Sequence, residues 1–477
     1  MAMKSKELSK HHIDVVDGIR AVSVIIVMIF HFWQQTWIFP VIKTPWLSFI
    51  SVGGRPLTQI DFTAFARAGY LFVDMMVLLS GFLLSLPLAR CVLCGDKMQS
   101  WGTYFKKRAI RILPSYLFCI ITLFVYELLR GGYVSNGVFD KAFALRDILS
   151  HLTFTHMLRV RTYQMTLLDA VLWTLAVEVW YYVLFPVISS FITWRRDKDG
   201  GRKQLAARLI RLTAAIVVMV GAAHLYIYKY VLAAGTPTAA AVDTFIQKLG
   251  CTIGSAQLSS TINQLPAFFG VYAIGLAGAF IYIAAAKRVK RNAAMSIIGT
   301  LLAIGFIVVI TKLVKACASA SGDAVQIWQV KNRHILSLSF MGFILTSAVS
   351  ARWFRFLFSN KLMVILGGVS YNLYIWHQWL CVKLKYDWRL PRWTGDTPPN
   401  QLFGEFATKW KTEYAVIITV AAFAAAFAAT YLIEKPAASL LSCRKKRRPA
   451  PVSAEEAVET AVEDAPDTPE NTAKSTE

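Results

Sequence analysis

The chain has 477 residues, of which 56% are hydrophobic and only 17% are charged. Soluble domains carry about 25% charged residues, so this composition excludes an ordinary soluble enzyme and indicates a membrane protein. The formal net charge of +23 is explained by basic residues at the cytosolic ends of membrane spans. Because no motif of a nucleic-acid-binding protein accompanies that charge, we expect no nucleic-acid partner.

Apolar runs long enough to cross a bilayer recur along the chain. They predict an all-α polytopic membrane protein with about ten transmembrane helices. The predicted spans are 15–35, 67–89, 110–130, 168–192, 210–232, 263–286, 293–316, 334–350, 362–384 and 414–434. Basic clusters such as "RRDKDGGRK" and "CRKKRR" place both termini in the cytosol by the positive-inside rule.

Three regions follow from this pattern. Residues 1–14 form a cytosolic segment, 15–434 form one membrane domain, and 435–477 form a tail that is first basic and then acidic. The tail lacks aromatic residues beyond its basic cluster and is rich in Ala, Glu, Pro and Thr, which is typical of disorder. No second globular domain is expected.

The first span contains two polar residues in the stretch "DGIRAVSVIIVMIFHFW". Arg20 and His31 are eleven positions apart, about three helical turns, so both lie on one helix face and are roughly 16 Å apart along the axis. Ionisable groups inside a span are costly and face protein or water. Two interpretations remain open: a functional stripe, or a snorkelling arginine with a structural histidine.

Basic residues lead into the third span in "YFKKRAIRILPSYLF". Arg108 and Arg111 are three positions apart and share a helix face. They either flank the span in the ordinary way or bind a phosphorylated cytosolic ligand, for which the arginine fork is well suited. Asp74, in the preceding span, has no role that the sequence indicates.

Two later spans carry further candidates. Glu178 lies near the middle of "LDAVLWTLAVEVWYYVLFPVI", with Tyr182 one turn away on the same face. A buried carboxylate needs a partner or a proton, so Glu178 is either catalytic or a structural tie. In "GGVSYNLYIWHQWL", Tyr374 and His377 share a face; His377 is either a second catalytic group or an interfacial histidine.

Taken together, these segments resemble the membrane-bound acyltransferase 3 family. Five motifs occur in the family's order over residues 17 to about 380. They are "DGIRAVSVIIVMIFHF", "LFVDMMVLLSGFLL", "KKRAIRILPSYLF", "LWTLAVEVWYYVLFPVI" and "GGVSYNLYIWHQWL". One departure is Glu178-Val179, where the family often has two acidic residues.

The resemblance implies a multi-pass O-acyltransferase of the plasma membrane. An acyl group, usually acetyl, would pass from cytosolic acyl-CoA to a hydroxyl of an envelope carbohydrate, lipid-linked glycan or similar acceptor, and no metal is expected. His31 would be the general base or a transient acyl carrier, and Glu178 would orient its imidazole. The expected CoA-phosphate ligands are Arg20, Arg108 and Arg111, and the expected supporting residues are Tyr182, Tyr374 and His377.

Two alternatives to a complete transferase stay open. A small-molecule transporter or exporter would also use intramembrane His, Glu and Arg. An acyl-passing module would leave the final transfer to an extracytoplasmic partner enzyme. Many family members carry a fused hydrolase-like domain outside the membrane, and none is expected in this sequence, which keeps the second alternative open.

Overall fold

The structure, a computed structural model, describes most of the chain between residues 5 and 442. The residues outside the description are 1–4, 50, 53–54, 57, 136, 159, 164, 195–201, 233–260, 289–291, 322, 403 and 443–477. The predicted disordered tail therefore lies almost entirely outside the described residues.

The described residues are predominantly helical. In chain order the α-helices are α1 Ser5–Thr36, α2 Thr63–Arg67, α3 Phe72–Cys94, α4 Trp101–Leu129, α5 Lys141–Leu152, α6 Val160–Tyr163, α7 Trp173–Thr193, α8 Arg202–Ile227, α9 Leu265–Arg288, α10 Ala293–Ala318, α11 Asp323–Val349, α12 Arg352–Ser359, α13 Lys361–Val382, α14 Glu405–Ala428 and α15 Lys435–Ser442. Short 3₁₀ segments at Gly69–Leu71 and Ala170–Leu172 precede α3 and α7. π-Helical segments at Tyr228–Leu232, Lys383–Asp387 and Ala429–Glu434 follow α8, α13 and α14.

This architecture confirms the prediction of an all-α polytopic membrane protein, and all ten predicted spans fall on helices. Within the described residues, eight helical segments are individually long and apolar enough to cross a membrane. The segments predicted at 334–350 and 362–384 lie on helices that meet at a bend of 116° and pass the same test only as a pair, giving up to nine spans. Helix α11 fails alone because Asn332, Arg333 and His334 shorten its apolar stretch.

Side-chain caps fix where several of these helices begin. Ser100 accepts a hydrogen bond from the Thr103 amide at the start of α4. Asn292 and Asn360 cap α10 and α13 in the same way. Each cap satisfies one of the backbone amides that the first helical turn leaves without a partner.

The described strands are short and form three antiparallel hairpin pairs outside the candidate spans. Strands β1 Val41–Lys43 and β4 Gln59–Asp61 pair, as do β2 Ser51–Val52 with β3 Arg55–Pro56 and β5 Val134–Ser135 with β6 Val138–Phe139. They stiffen the loops after α1 and α4 without contributing a sheet to the core.

Helix α1 lies at the centre of the bundle, where it packs against α3, α12 and α13. Glycine allows the closest approaches. A Cβ atom on Gly18 would stand 1.9 Å from the Phe358 carbonyl oxygen, and one on Gly275 of α9 would stand 2.8 Å from the Leu78 carbonyl of α3. Small residues at such crossings let helix backbones pack closely in a membrane.

A stacked histidine pair lies outside the candidate spans, between α4 and α7. The rings of His151 and His156 are parallel within 5° with centroids 4.0 Å apart, and both side chains are buried. His151 donates from Nδ1 to the Asp147 carbonyl oxygen at 2.8 Å, and Tyr133 donates to the Asp147 carboxylate at 3.0 Å. Burial lowers the pKa of both histidines, and the nearby charge of His151 further lowers the pKa of His156.

We predict that the free energy of unfolding falls as the pH drops below about 6.5, the ordinary histidine pKa. The folded state keeps both rings neutral, whereas the unfolded chain takes up protons below that pH, so protonation favours unfolding. Thermal unfolding of detergent-solubilised protein between pH 7.5 and 5.5 measures the slope. His156→Phe keeps an aromatic ring for the stacking but cannot take up a proton, so it should reduce the slope of stability against pH. A wild-type stability that does not change across this range would contradict the prediction.

Candidate functional site

Two cavities lie along α1, and the first is small. This Arg20 cavity has a volume of about 70 Å³. This is about half of the roughly 150 Å³ of a cavity that binds a benzene molecule. Its polar lining includes Arg20, Ser80, Arg111, Glu178, Tyr182 and Tyr374.

The second, the His31 cavity, is much larger at about 600 Å³. Aromatic rings, side-chain amides and one arginine contribute to its wall. These include Trp33, Trp173, Tyr163, Asn263, Gln329, Gln378 and Arg67. Aromatic faces with a few amide groups between them are typical of a site that binds a polar organic ligand with apolar faces.

Helix α1 runs past both cavities, and one of its faces contributes to each. Arg20 and Val24 line the first cavity, and Val27 and His31 line the second. The spacing of four, three and four residues keeps these side chains on one stripe of a helix. Helices α3 and α13, and the segment that opens α7, pass both cavities as well.

Opposite charges meet in the Arg20 cavity. Arg20 donates to the Asp17 carboxylate at 3.2 Å, and the charges of Arg111 and Glu178 also act on it. The Glu178 carboxylate accepts hydrogen bonds from Ser80 Oγ at 2.6 Å and from the Tyr182 hydroxyl. The cavity therefore presents two guanidinium groups and a carboxylate that two hydroxyl donors hold in place.

The two candidate arginines on α4 occupy different positions. Arg111 lines the Arg20 cavity. Arg108 lies beside it, with its guanidinium carbon 5.4 Å from the Tyr182 ring centroid and 5.9 Å from that of Tyr104. Such cation–π contacts hold Arg108 against the aromatic wall, so of these two arginines Arg111 is the one that faces the space directly.

His31 is positioned by its own helix and by α13. Its Nδ1 lies 2.8 Å from Gln34 Oε1; since a carbonyl oxygen only accepts, Nδ1 carries the proton and Nε2 keeps a lone pair. The His377 ring centroid is 5.0 Å from that of His31. His377 donates from Nδ1 to the Tyr374 carbonyl at 2.8 Å, and its buried Nε2 has no partner among the described residues.

One sequence-based expectation needs correction. The family resemblance implies that Glu178 orients the imidazole of His31, but the two residues line different cavities. The Glu178 carboxylate is bound by Ser80 and Tyr182, and the His31 imidazole is bound by Gln34. In this structure Glu178 therefore belongs to the Arg20 cavity, and its hydrogen bonds go to Ser80 and Tyr182.

Sequence comparison gives the family. The acyltransferase 3 model, described as an acyltransferase domain, matches residues 13–435. The chain belongs to the acyltransferase 3 family. This confirms the resemblance drawn from the five motifs, and with it an integral membrane protein of a family of acyltransferases.

Curated relatives of this acyltransferase 3 protein include the O-acetyltransferase OatA of Staphylococcus aureus strains NCTC 8325 / PS 47, COL and MRSA252. Each is 24% identical over 382 residues, which cover 78% of this chain and 51% of the relative. The chain thus spans about half the length of the curated relatives it matches. No solved structure gave a significant match.

Asp74, to which the sequence assigns no role, forms an ion pair behind the His31 cavity of this acyltransferase 3 protein. Arg333 Nε donates to Asp74 Oδ2 at 3.2 Å, and both side chains are fully buried. Arg333 also donates to the carbonyl oxygens of Ile262 and Ala267 and lies over the Phe268 ring. The pair joins α3 to α11, next to the wall that α3 contributes to both cavities.

Sequence reasoning missed three residues of this arrangement: Ser80, Gln34 and Arg333. Ser80 stands inside the quoted motif "LFVDMMVLLSGFLL" and lies seven positions from Val73 on the cavity-lining face of α3. Gln34 follows His31 by three positions, a spacing that brings helical side chains together. For Arg333 the only signal in the sequence is that a buried aspartate such as Asp74 requires a cationic partner somewhere in the chain.

We predict that Asp74→Asn lowers the free energy of unfolding by about 3–5 kcal/mol, because it leaves the Arg333 charge buried without its partner. Thermal unfolding in a fixed detergent measures the loss. The double variant Asp74→Asn/Arg333→Met removes the stranded charge and should recover much of it. A single variant as stable as wild type would show that the ion pair does not hold α3 against α11.

Proposed function

We propose that this acyltransferase 3 protein is an O-acyltransferase that moves an acetyl group from cytosolic acetyl-CoA to a hydroxyl of an envelope carbohydrate or lipid-linked glycan. The observation that carries the proposal is the stripe on α1, which leads from a cavity with two arginines to a larger cavity with a histidine base. Family membership supplies the reaction class, and the distant OatA relatives support O-acetylation in particular.

The Arg20 cavity suits the donor. Arg20 and Arg111 are placed to bind the anionic end of acetyl-CoA, because a guanidinium matches phosphate oxygens in charge and shape. The negative charge of Glu178 offsets part of the positive charge of Arg20 and Arg111 when no donor is bound.

The His31 cavity suits the acceptor. A sugar has C–H faces that pack on rings such as Trp33 and Trp173, and hydroxyls that need partners such as Asn263 and Gln329. A volume of about 600 Å³ accommodates a group of that size. The acceptor hydroxyl would lie beside His31 in this cavity.

His31 then acts as general base. As the acceptor oxygen bonds to the acyl carbon, its proton moves to Nε2 of His31, whose Nδ1 proton is held by Gln34. The carbon–sulfur bond breaks, the acetyl ester remains on the acceptor, and the CoA thiolate takes the proton from the imidazolium. His377, in ring contact with His31, supports the base by fixing its position.

The experiment that tests this function uses purified protein in detergent with acetyl-CoA and a membrane extract as acceptor source. We expect release of the CoA thiol and an acetyl ester in a glycan or lipid by mass spectrometry. A transporter would leave acetyl-CoA intact. An acyl-passing module would consume it only when a partner enzyme is added.

We predict that His31→Ala lowers the transfer rate by about 10²–10⁴-fold, the usual contribution of a general base. Thermal unfolding should stay close to wild type, because the His31 side chain is only partly buried. His224→Ala, which removes a histidine that lines neither cavity, is the matched control. Undiminished transfer by His31→Ala would rule out the assigned role.

We predict that Arg111→Ala raises the KM for acetyl-CoA by about tenfold or more, which is the worth of a charge-assisted hydrogen bond. Arg108→Ala should raise this KM less, because Arg108 packs on Tyr182 beside the cavity. The double variant Arg108→Ala/Arg111→Ala should raise the KM most. The exposed Lys107, which donates to Gln99, gives the control Lys107→Ala. A KM that does not change in the double variant would remove both residues from the donor site.

A further inference from the structure

The two cavities meet at one wall. Among the described lining residues, Val73 and Tyr374 face both cavities, and each of the others faces one. Val73 lies at the start of α3 and Tyr374 in the middle of α13. A group that moves directly from one cavity to the other would therefore pass these two side chains.

We propose that Val73 and Tyr374 form a size filter that sets the longest acyl group the protein transfers. This inference rests on the proposed function, because it assigns the passage that the acyl group takes between the donor and acceptor cavities. The two side chains stand at the boundary of the cavities in the present structure, and the space they leave when Tyr374 turns aside limits the bulk of the acyl group that can pass.

The two sides of the filter differ in how firmly they are held. Val73 precedes Asp74, whose ion pair with Arg333 fixes this part of α3, and a β-branched side chain has few rotamers. Tyr374 is anchored at its backbone by the hydrogen bond from His377, and its hydroxyl contacts the Val171 carbonyl at 3.4 Å and the Thr174 side chain. Because its aromatic ring turns about two side-chain torsions, Tyr374 is the side of the filter that would move, and Val73 is the fixed edge.

Acyl selectivity gives the test. In an apolar passage, one methylene changes the relative rate by about 10–200-fold. Val73→Ala should therefore raise the ratio of butyryl-CoA to acetyl-CoA turnover by about tenfold or more. Val73→Phe should lower kcat for acetyl-CoA by a similar factor while its KM stays within about twofold, because the donor still binds in front of a narrowed passage.

A neighbouring valine separates the filter from simple cavity size. Val77 lies one turn further along α3 and lines only the Arg20 cavity, so Val77→Ala removes the same atoms without widening the shared wall. In Val77→Ala, the ratio of butyryl-CoA to acetyl-CoA turnover should change by less than it does in Val73→Ala. Val92→Ala, at a buried position of α3 that lines neither cavity, controls for loss of stability.

The measurement uses membrane vesicles from cells that produce each variant, which retain their native acceptors. CoA thiol release from acetyl-, butyryl- and hexanoyl-CoA is compared with vesicles without the protein, and thermal unfolding in detergent verifies that each variant folds. If Val73→Phe does not fold, the ratio of butyryl-CoA to acetyl-CoA turnover in Val73→Ala is sufficient to test the filter.

The possible outcomes are distinguishable. A higher ratio of butyryl-CoA to acetyl-CoA turnover in Val73→Ala than in Val77→Ala supports the filter. Equal ratios in these two variants, with an active wild type, overturn the filter and leave the proposed function standing. A wild type that releases no thiol above background overturns the proposed function and the filter with it.

Discussion

The central constraint on this protein is that α1 carries an arginine and a histidine within a candidate membrane span. Polar side chains at that depth need protein partners or a cavity. Helix α1 meets the requirement with one stripe, Arg20, Val24, Val27 and His31, which faces two cavities in turn. The close packing of α1 against α12, permitted by Gly18, and against α13, permitted by Gly367, keeps that stripe directed inwards, and the neighbouring helices supply the remaining polar groups.

Two kinds of chemistry are thereby kept apart. At one end a carboxylate, Glu178, is held by Ser80 and Tyr182 and faces two arginines; this arrangement suits the binding of an anion. At the other end His31 is held by Gln34 and lies against His377; this arrangement suits proton transfer. Separation keeps the imidazole away from Arg20 and Arg111, whose positive charges would disfavour the protonated form that a base must pass through.

What the sequence predicted well is local. The helical period placed Arg20 and His31 on one face because the spacing within a helix depends on nothing outside it, and apolar run length located the spans. Contacts between helices could not be predicted from the sequence. The partner of Asp74 is Arg333 on α11, and Glu178 accepts a hydrogen bond from Ser80 although His31 was its expected partner. The family motifs named the right segments, but they did not state which side chains from different segments touch.

The size of the Arg20 cavity bears on how a donor can reach the base. The stripe from Arg20 to His31 is roughly 16 Å long, whereas the cavity beside Arg20 holds about 70 Å³ and ends at Val73 and Tyr374. An extended arm bound at the arginines therefore cannot touch His31 in this conformation. Either the wall opens when the donor binds, or the acceptor hydroxyl comes to the wall from the larger cavity. In the first route the acyl group passes Val73 and Tyr374, and in the second it reacts beside them, so in the proposed filter the geometry of that wall limits which acyl groups react.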